Sequence, residues 1–374
     1  MVVVSAPQVA SRRIAPNSLT AGQLPTWLPW ALLGTSLFFS ATVFTILNFG
    51  GDPRDFSVAG TIFFGFVVFA IGLVVLSSIV ESRRRATDRL ATVLVSFAFT
   101  LALIPLVSLL YTVVIDGIAR FDPTFFSWTM RNVVGDGGGA VHAIWGTLLI
   151  TLTAAVISVP IGLLTSIYLV EYGRGRLARA ITFFVDVMTG IPSIVAGLFI
   201  VALFTLLVGP GRYMGVMGAL SLTVLMIPVV VRSSEEMLRL VPNELREASY
   251  ALGVPKWLTI VKVVLRTSVA GLTTGILLAV ARVIGETAPL LVTVGVTDSI
   301  NFDPFEGRMM TLPVFAYRQY SQGLATCPGG ESASCVADIA IQNAWGAALV
   351  LIVLVLALNL VGRLVNRWFS PKLR

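Results

Sequence analysis

The chain has 374 residues, of which 56% are hydrophobic and only 12% charged, with two cysteines and one histidine. A soluble domain carries roughly 25% charged residues; so few here cannot coat a water-facing surface, and the apolar excess faces lipid. The same counts argue against a disulfide scaffold and a metalloenzyme, and the lack of any Gly-Lys dipeptide excludes a Walker-type phosphate loop, hence ATP hydrolysis by the chain itself.

Apolar runs of about 20 residues or more, in chain order, lie at 27–49, 57–80, 90–115, 144–170, 180–208, 217–231, 267–295 and 342–362. They predict an all-α integral membrane protein with about eight transmembrane helices. The first has no small-residue cleavage site after a short core, so it reads as a retained span. The sixth is short, and Ser233-Ser234-Glu235-Glu236 reads as the opening of a separate short helix. With an even number of spans both termini share one side. Placing them inside leaves 19 Lys+Arg in inside segments against 6 outside, with Arg282 inside a span. That bias predicts cytoplasmic termini and explains the net charge of +7 without nucleic acid as a partner. The segment 81–89 reads as a hinge. It divides a cytoplasmic tail with two helices (1–89) from six further spans (90–374). Gly135–Gly139 reads as a flexible linker.

Three ionisable residues fall within apolar spans: Asp186, Arg282 and Glu286. Each costs about 3 kcal/mol at the bilayer centre, so each needs a partner or a polar cavity. Arg282 and Glu286 are four residues apart, which predicts a shared helical face and an ion pair. Gly271, Gly275 and Ala279 continue that stripe and allow a neighbouring backbone to come close. Two readings follow. The pair locks the helix to another subunit, or the Arg282 guanidinium, held by Glu286, recognises an oxyanion through two parallel hydrogen bonds. Asp186, about 9 Å into its span by helical rise, reads as a polar contact in the cytoplasmic half rather than a ligand. Close after it, Gly190, Pro192 and Ser193 interrupt the fifth span. The interruption is either a simple kink, as at Pro160 and Gly162, or the start of a half-helix whose N–H groups form an anion site.

The longest inside segment, 232–266, predicts an amphipathic helix over Asn243–Leu252. Leu245, Ala248, Ser249 and Leu252 share one face, and Glu244, Arg246 and Glu247 lie elsewhere. Gly253 ends it and Pro255 begins the next helix. Such an element suits docking in another protein's groove or lying in the membrane interface. Glu247-Ala248-Ser249, followed after three residues by Gly253, resembles the coupling loop of ABC-importer permeases. Val263 and Arg266 depart from that pattern, where Ile and Pro are usual.

Further stretches narrow the resemblance. They are Gly146-Thr147-Leu148, Ile167 to Tyr172, Gly190 to Val195, Ala281 to Leu291 and Leu312-Pro313-Val314. Together they resemble PstA-type permeases of phosphate importers over roughly 90–374. The resemblance implies a MetI-like six-helix ABC-importer core, to which the two N-terminal helices are an addition, in a bacterial plasma (inner) membrane. It also implies a PstC-type permease as heterodimer partner, a PstB-type ATPase dimer beneath and a PstS-type extracellular phosphate-binding protein above, with phosphate as substrate. The chain itself would be a transporter subunit and not an enzyme, needing neither cofactor nor metal. Arg282 and Glu286 match the Arg and Glu implicated in phosphate passage, with the Gly190, Pro192 and Ser193 break beside them. Glu244, Glu247, Ala248, Ser249 and Gly253 fall on the coupling helix. The alternatives are a permease for another oxyanion such as sulfate or molybdate, a secondary transporter, or a membrane scaffold without transport.

Cys327 and Cys335 share an outside loop (296–341), where an oxidising environment permits a local disulfide; that loop is also long enough to meet a delivery protein. His142, the sole histidine, reads as interfacial.

Overall fold

The computed structural model describes residues 24–47, 57–133, 137–323 and 337–369, which are helical or loop throughout, with no strand among them. Cys327, Cys335 and the first two residues of the Gly135–Gly139 linker lie outside the described residues. Contacts divide the chain into two compact units, Met1–Leu109 and Leu110–Arg374.

In the first unit, α1 (Leu28–Leu47) and α2 (Val58–Val80) pack along small residues. A Cβ on Gly65 would stand 2.8 Å from a Leu37 methyl, and Ser40 Oγ donates to the Thr61 carbonyl at 2.6 Å. Close backbone approach of this kind is how helices associate in lipid, where burial of apolar surface gives no drive. α3 (Arg83–Ile118) follows almost directly. Residues 81–89, expected as a hinge, form a pinned corner. The Glu81 carboxylate accepts from Arg89 Nε and Nη2 (both 2.8 Å), Ser77 Oγ (2.6 Å) and the Leu24 N–H (3.0 Å). Burial alone would raise the Glu81 pKa, but these donors outweigh it and hold the carboxyl down at about 2. The division between units falls inside α3.

The second unit comprises the end of α3, α4 (Pro123–Ser127), α5 (Val141–Ile167), α6 (Gly175–Thr189), α7 (Ser193–Val208), α8 (Gly215–Arg239), α9 (Asn243–Ala251), α10 (Lys256–Thr259), α11 (Leu265–Val283), α12 (Ala288–Thr293), α13 (Leu312–Gly323) and α14 (Ala337–Phe369). A π turn, Tyr168–Tyr172, extends α5, and a second, Ile260–Val264, joins α10 to α11. Among the described residues, seven helical segments are long and apolar enough to cross a membrane, and eight if the pair α6–α7 counts as one broken span.

α8 is the most buried of these spans and forms the centre of the unit. Glycines admit its neighbours. A Cβ on Gly162 would come 2.7 Å from Val230, and one on Gly275 2.8 Å from Ser233 Cβ. The stripe Gly271, Gly275, Ala279 therefore seats α11 on α8 of the same chain, not on another subunit. α8 also continues without a break through Ser233–Glu236 to Arg239, so no separate helix opens there. Ion pairs on its last turns explain the continuity: Arg232 to Glu235 (2.8 Å) and Glu235 to Arg239 (2.6 Å) are spaced three and four residues apart on one face.

Part of the expected outside loop 296–341 is core. Met309, Met310, Leu312, Val314 and Phe315 are fully buried, and α13 packs against α5 and α14. Gly146 lies directly under the Met310 carbonyl, and Thr147 Oγ1 accepts from the buried Leu312 N–H at 2.8 Å. His142, expected at an interface, is buried edge-on to Phe315 at 5.5 Å between ring centroids.

Candidate functional site

Two regions carry the chemistry, at different depths along the bundle. The first is the end of α11. The apolar run 267–295 predicted one span, but the helix stops at Val283 and turns through Ile284–Thr287 into the short α12. Gly285 loosens the ladder, and Pro289, in the first turn of α12, begins a new helix. Ile284 N–H still donates to Val280 O (3.0 Å), whereas Glu286 N–H reaches back only three residues, to Val283 O (3.1 Å).

This break overturns the expected Arg282–Glu286 pair. Arg282 occupies the last helical turn and Glu286 lies beyond it, so the i,i+4 geometry is lost. Among the described residues no ion pair or hydrogen bond joins them. The Arg282 side chain is exposed on the isolated chain and has no hydrogen-bond or ion-pair partner among the described residues. Arg282 is thus open to a partner from outside the described residues.

The fifth span is broken too. α6 ends at Thr189, α7 starts at Ser193, and the two helices are bent by 107°. Pro192 occupies the N-cap and provides no side-chain acceptor for the first N–H groups of α7. The bend is thus a true half-helix start and not a kink within one helix. Gly190 and Pro192 are exposed and Ser193 half-buried. Gly197, one turn into α7, lies against Pro289, where a Cβ would stand 2.8 Å from the Pro289 Cα. That glycine lets the first turns of α7 rest against the start of α12, just after the Glu286–Thr287 link. Asp186 takes no part in this; it pairs with Arg232, tying α6 to α8.

The second region is α9. Gly253, at φ +76°, closes it with the two hydrogen bonds of a glycine C-cap: Gly253 N–H to Tyr250 O (2.9 Å) and Val254 N–H to Ser249 O (3.2 Å). Glu244, Glu247 and Ala248 are exposed, as are Leu245 and Leu252, the latter 83% exposed. Ser249 points the other way, buried and hydrogen-bonded to Thr259 Oγ1 at 2.8 Å, so it bolts α9 to α10 instead of meeting a partner.

Two anchors escaped the sequence reading. Arg246 donates from Nε (3.0 Å) and Nη2 (2.8 Å) to Glu171 Oε1, and to the Val241 and Leu238 carbonyls. Lys256 donates to the Glu171 carbonyl and sits 4.5 Å from the centre of the Tyr172 ring. α9 is thereby fastened to the π turn at the end of α5. Periodicity showed only that Arg246 lies off the apolar face.

The family model for the inner membrane component of binding-protein-dependent transport systems matches residues 158–374, from within α5 to the C-terminus. Phosphate transport system permease protein PstA 1 of Mycobacterium tuberculosis (strain CDC 1551 / Oshkosh) is 47% identical over 289 residues, 76% of this chain and 90% of that protein. The PstA of Mycobacterium leprae is 46% identical, covering 76% and 90%, and that of Yersinia pestis 37%, covering 77% and 95%. The chain belongs to the PstA family of permeases.

For a PstA-family permease, the matched region holds both candidate regions described above, including the α6–α7 break, α9 with its Glu171 anchor, and the exposed Arg282. The multi-pass helical architecture agrees with an inner-membrane component. Among the described residues no group of three or more His, Cys, Asp or Glu side chains is arranged to hold a metal.

Proposed function

We propose that this chain is the permease subunit of an ATP-driven phosphate importer and forms the translocation path with a second, PstC-type permease. The observation that carries this reading is the Arg282 guanidinium, which is exposed at the end of a membrane helix and has no partner among the described residues of its own chain. A second permease and a passing oxyanion would supply what is missing. Glu286, displaced from the helix, is free to hold Arg282 from the side or to meet the partner. The uncapped start of α7, just after Gly190 and Pro192, adds the N–H groups of Ser193 and Ile194 as donors. A rigid fork and fixed amides suit a tetrahedral oxyanion. A sodium- or proton-driven carrier would leave the exposed face of α9 without a purpose.

ATP hydrolysis belongs to a separate PstB-type dimer seated on α9 through Glu244, Glu247, Ala248 and the exposed Leu245 and Leu252. Ser249 and Gly253 shape the helix from behind. Closure of that dimer pushes α9, and the Arg246–Glu171 anchor passes the movement to α5. A PstS-type phosphate-binding protein delivers substrate at the opposite end of the bundle. Both termini are cytoplasmic, as the basic bias requires. Residues 90–374 form the six-span permease domain, and 1–89 an N-terminal addition. Reconstitution with its partners in liposomes tests this. Labelled phosphate should accumulate only with ATP inside the α9 face and binding protein opposite, and excess sulfate or molybdate should not compete. ATP-independent accumulation driven by an ion gradient would contradict it.

A further inference from the structure

α8 is about 37 Å long by helical rise, and the end away from α9 carries a cleft of about 210 Å³ lined by Arg212, Tyr213, Glu306 and Arg308. Its walls are built. Asn301 Nδ2 donates to the Glu306 carbonyl (2.7 Å) and the Arg308 carbonyl (3.1 Å), and Met309 N–H donates to Val294 O (3.1 Å). The other wall is held by Met214 N–H to Thr293 O (3.3 Å) and Val216 N–H to Pro304 O (2.6 Å). Arg308 lies over the Tyr213 ring at 5.2 Å from its centre, which fixes the guanidinium plane. Gly295, at φ +69°, makes room beneath; a Cβ there would stand 3.1 Å from both side chains. Among the described residues neither Arg212, Arg308 nor Glu306 takes part in an ion pair through its side chain.

We propose that this cleft is a second oxyanion site, specific for hydrogen phosphate, at the mouth of the permease opposite α9. It rests on the reading of the chain as a phosphate permease and extends it to a residue-level entry point. Two guanidiniums supply only donors and Glu306 only an acceptor. A fully deprotonated oxyanion such as sulfate meets the two arginines but is repelled by the carboxylate. Hydrogen phosphate offers its O–H to Glu306 and its bare oxygens to the arginines, so the same carboxylate favours one anion and rejects the other. The site sits some 24 residues of helix away from the α9 end and shares no residue with the Arg282 region.

Phenylglyoxal modification of the full chain in its assembled complex, in phosphatidylcholine nanodiscs, reads each arginine separately by peptide mass spectrometry. Inorganic phosphate should slow modification at Arg212 and Arg308, by about tenfold once it exceeds its dissociation constant tenfold. Sulfate at matched ionic strength should leave both rates unchanged, as should phosphate at Arg176, an exposed arginine outside either site. In Glu306→Gln, sulfate should protect as well as phosphate does. Equal rates with and without phosphate would overturn the proposal. So would protection by sulfate in the wild type, or protection by anionic phosphatidylglycerol with no free phosphate added, which would assign the cleft to lipid headgroups. Arg282 reports in the same experiment. Protection there alone would leave the pathway reading standing and remove this one, and protection at 212 and 308 alone would do the reverse.

Discussion

Arg246 Nη2 and Glu171 Oε1 stand 2.8 Å apart, joined across 75 residues of sequence, with the two side chains only 12% and 5% exposed. The pair fixes an otherwise exposed surface helix to the end of a membrane span through a charge-assisted contact, beside the bond from Lys256 to the Glu171 carbonyl. The π turn at the receiving end, Tyr168–Tyr172, is the kind of irregularity that concentrates at moving parts of helices.

Breaking this pair should separate ATP hydrolysis from transport. Glu171→Ala leaves a largely buried guanidinium unpaired, a loss of about 3–5 kcal/mol locally. The expected result is a complex that assembles and hydrolyses ATP while phosphate uptake falls at least about tenfold, the factor that 1.4 kcal/mol sets. Glu171→Gln with Arg246→Gln should cost less than the sum of the single changes, by about 1–2 kcal/mol in a double-mutant cycle. Strict additivity would show that the contact transmits nothing.

Gly253→Ala tests the shape of α9. Nothing crowds a Cβ at that position, so the penalty comes from the left-handed backbone alone, about 1–2 kcal/mol. Fraying of the α9 C-terminus should show as faster amide exchange at position 253 and at Val254, whose N–H groups make the capping bonds, together with partial uncoupling. Unchanged exchange at both would refute the capping role.

Gly146→Ala should be far more damaging than its size suggests. A methyl there runs into the Met310 carbonyl, with α5 and the core segment before α13 both held, so overpacking of about 3 kcal/mol is expected. Thr147→Val removes the acceptor of the buried Leu312 N–H and should cost about 1–3 kcal/mol. Thermal unfolding of the solubilised complex measures both, and a glycine-to-alanine change with no loss of stability would contradict this packing.

Glu81 gives a pH dependence with a definite sign. Its folded pKa, about 2, lies below the ordinary value of 4.5, so its contribution to stability is present above pH 4.5 and disappears as pH falls toward 2. Glu81→Gln should lower stability near neutral pH by about 2 kcal/mol and flatten the acid dependence in that window. Amide exchange at Leu24, whose N–H donates to Glu81, should quicken in Glu81→Ala. An acid profile identical to wild type would show that the carboxylate holds nothing.

Long apolar runs made the spans readable, and Gly253, Pro255 and the Glu247-Ala248-Ser249 pattern marked α9, because these features act through local backbone chemistry. What periodicity could not show was where an apolar run turns. Residues 284–295 are as apolar as a span, and only Gly285 and Pro289 betray that α11 ends at Val283. Leu312 to Phe315 hid in the same way: a short apolar segment inside a long polar stretch becomes core only through distant partners such as Gly146 and Thr147. Glu171 with Arg246, and Asp186 with Arg232, are tertiary pairs 75 and 46 residues apart, and nothing in local spacing marks either one.

The most direct measurement is ATP-driven uptake of labelled phosphate by the reconstituted complex carrying Arg282→Gln, with assembly and ATPase activity checked in the same preparation. The structure predicts an intact complex that still hydrolyses ATP but moves phosphate at no more than about a tenth of the wild-type rate, a loss of roughly 1.4 kcal/mol or more at the transition state. Wild-type uptake from an assembled Arg282→Gln complex would contradict the account.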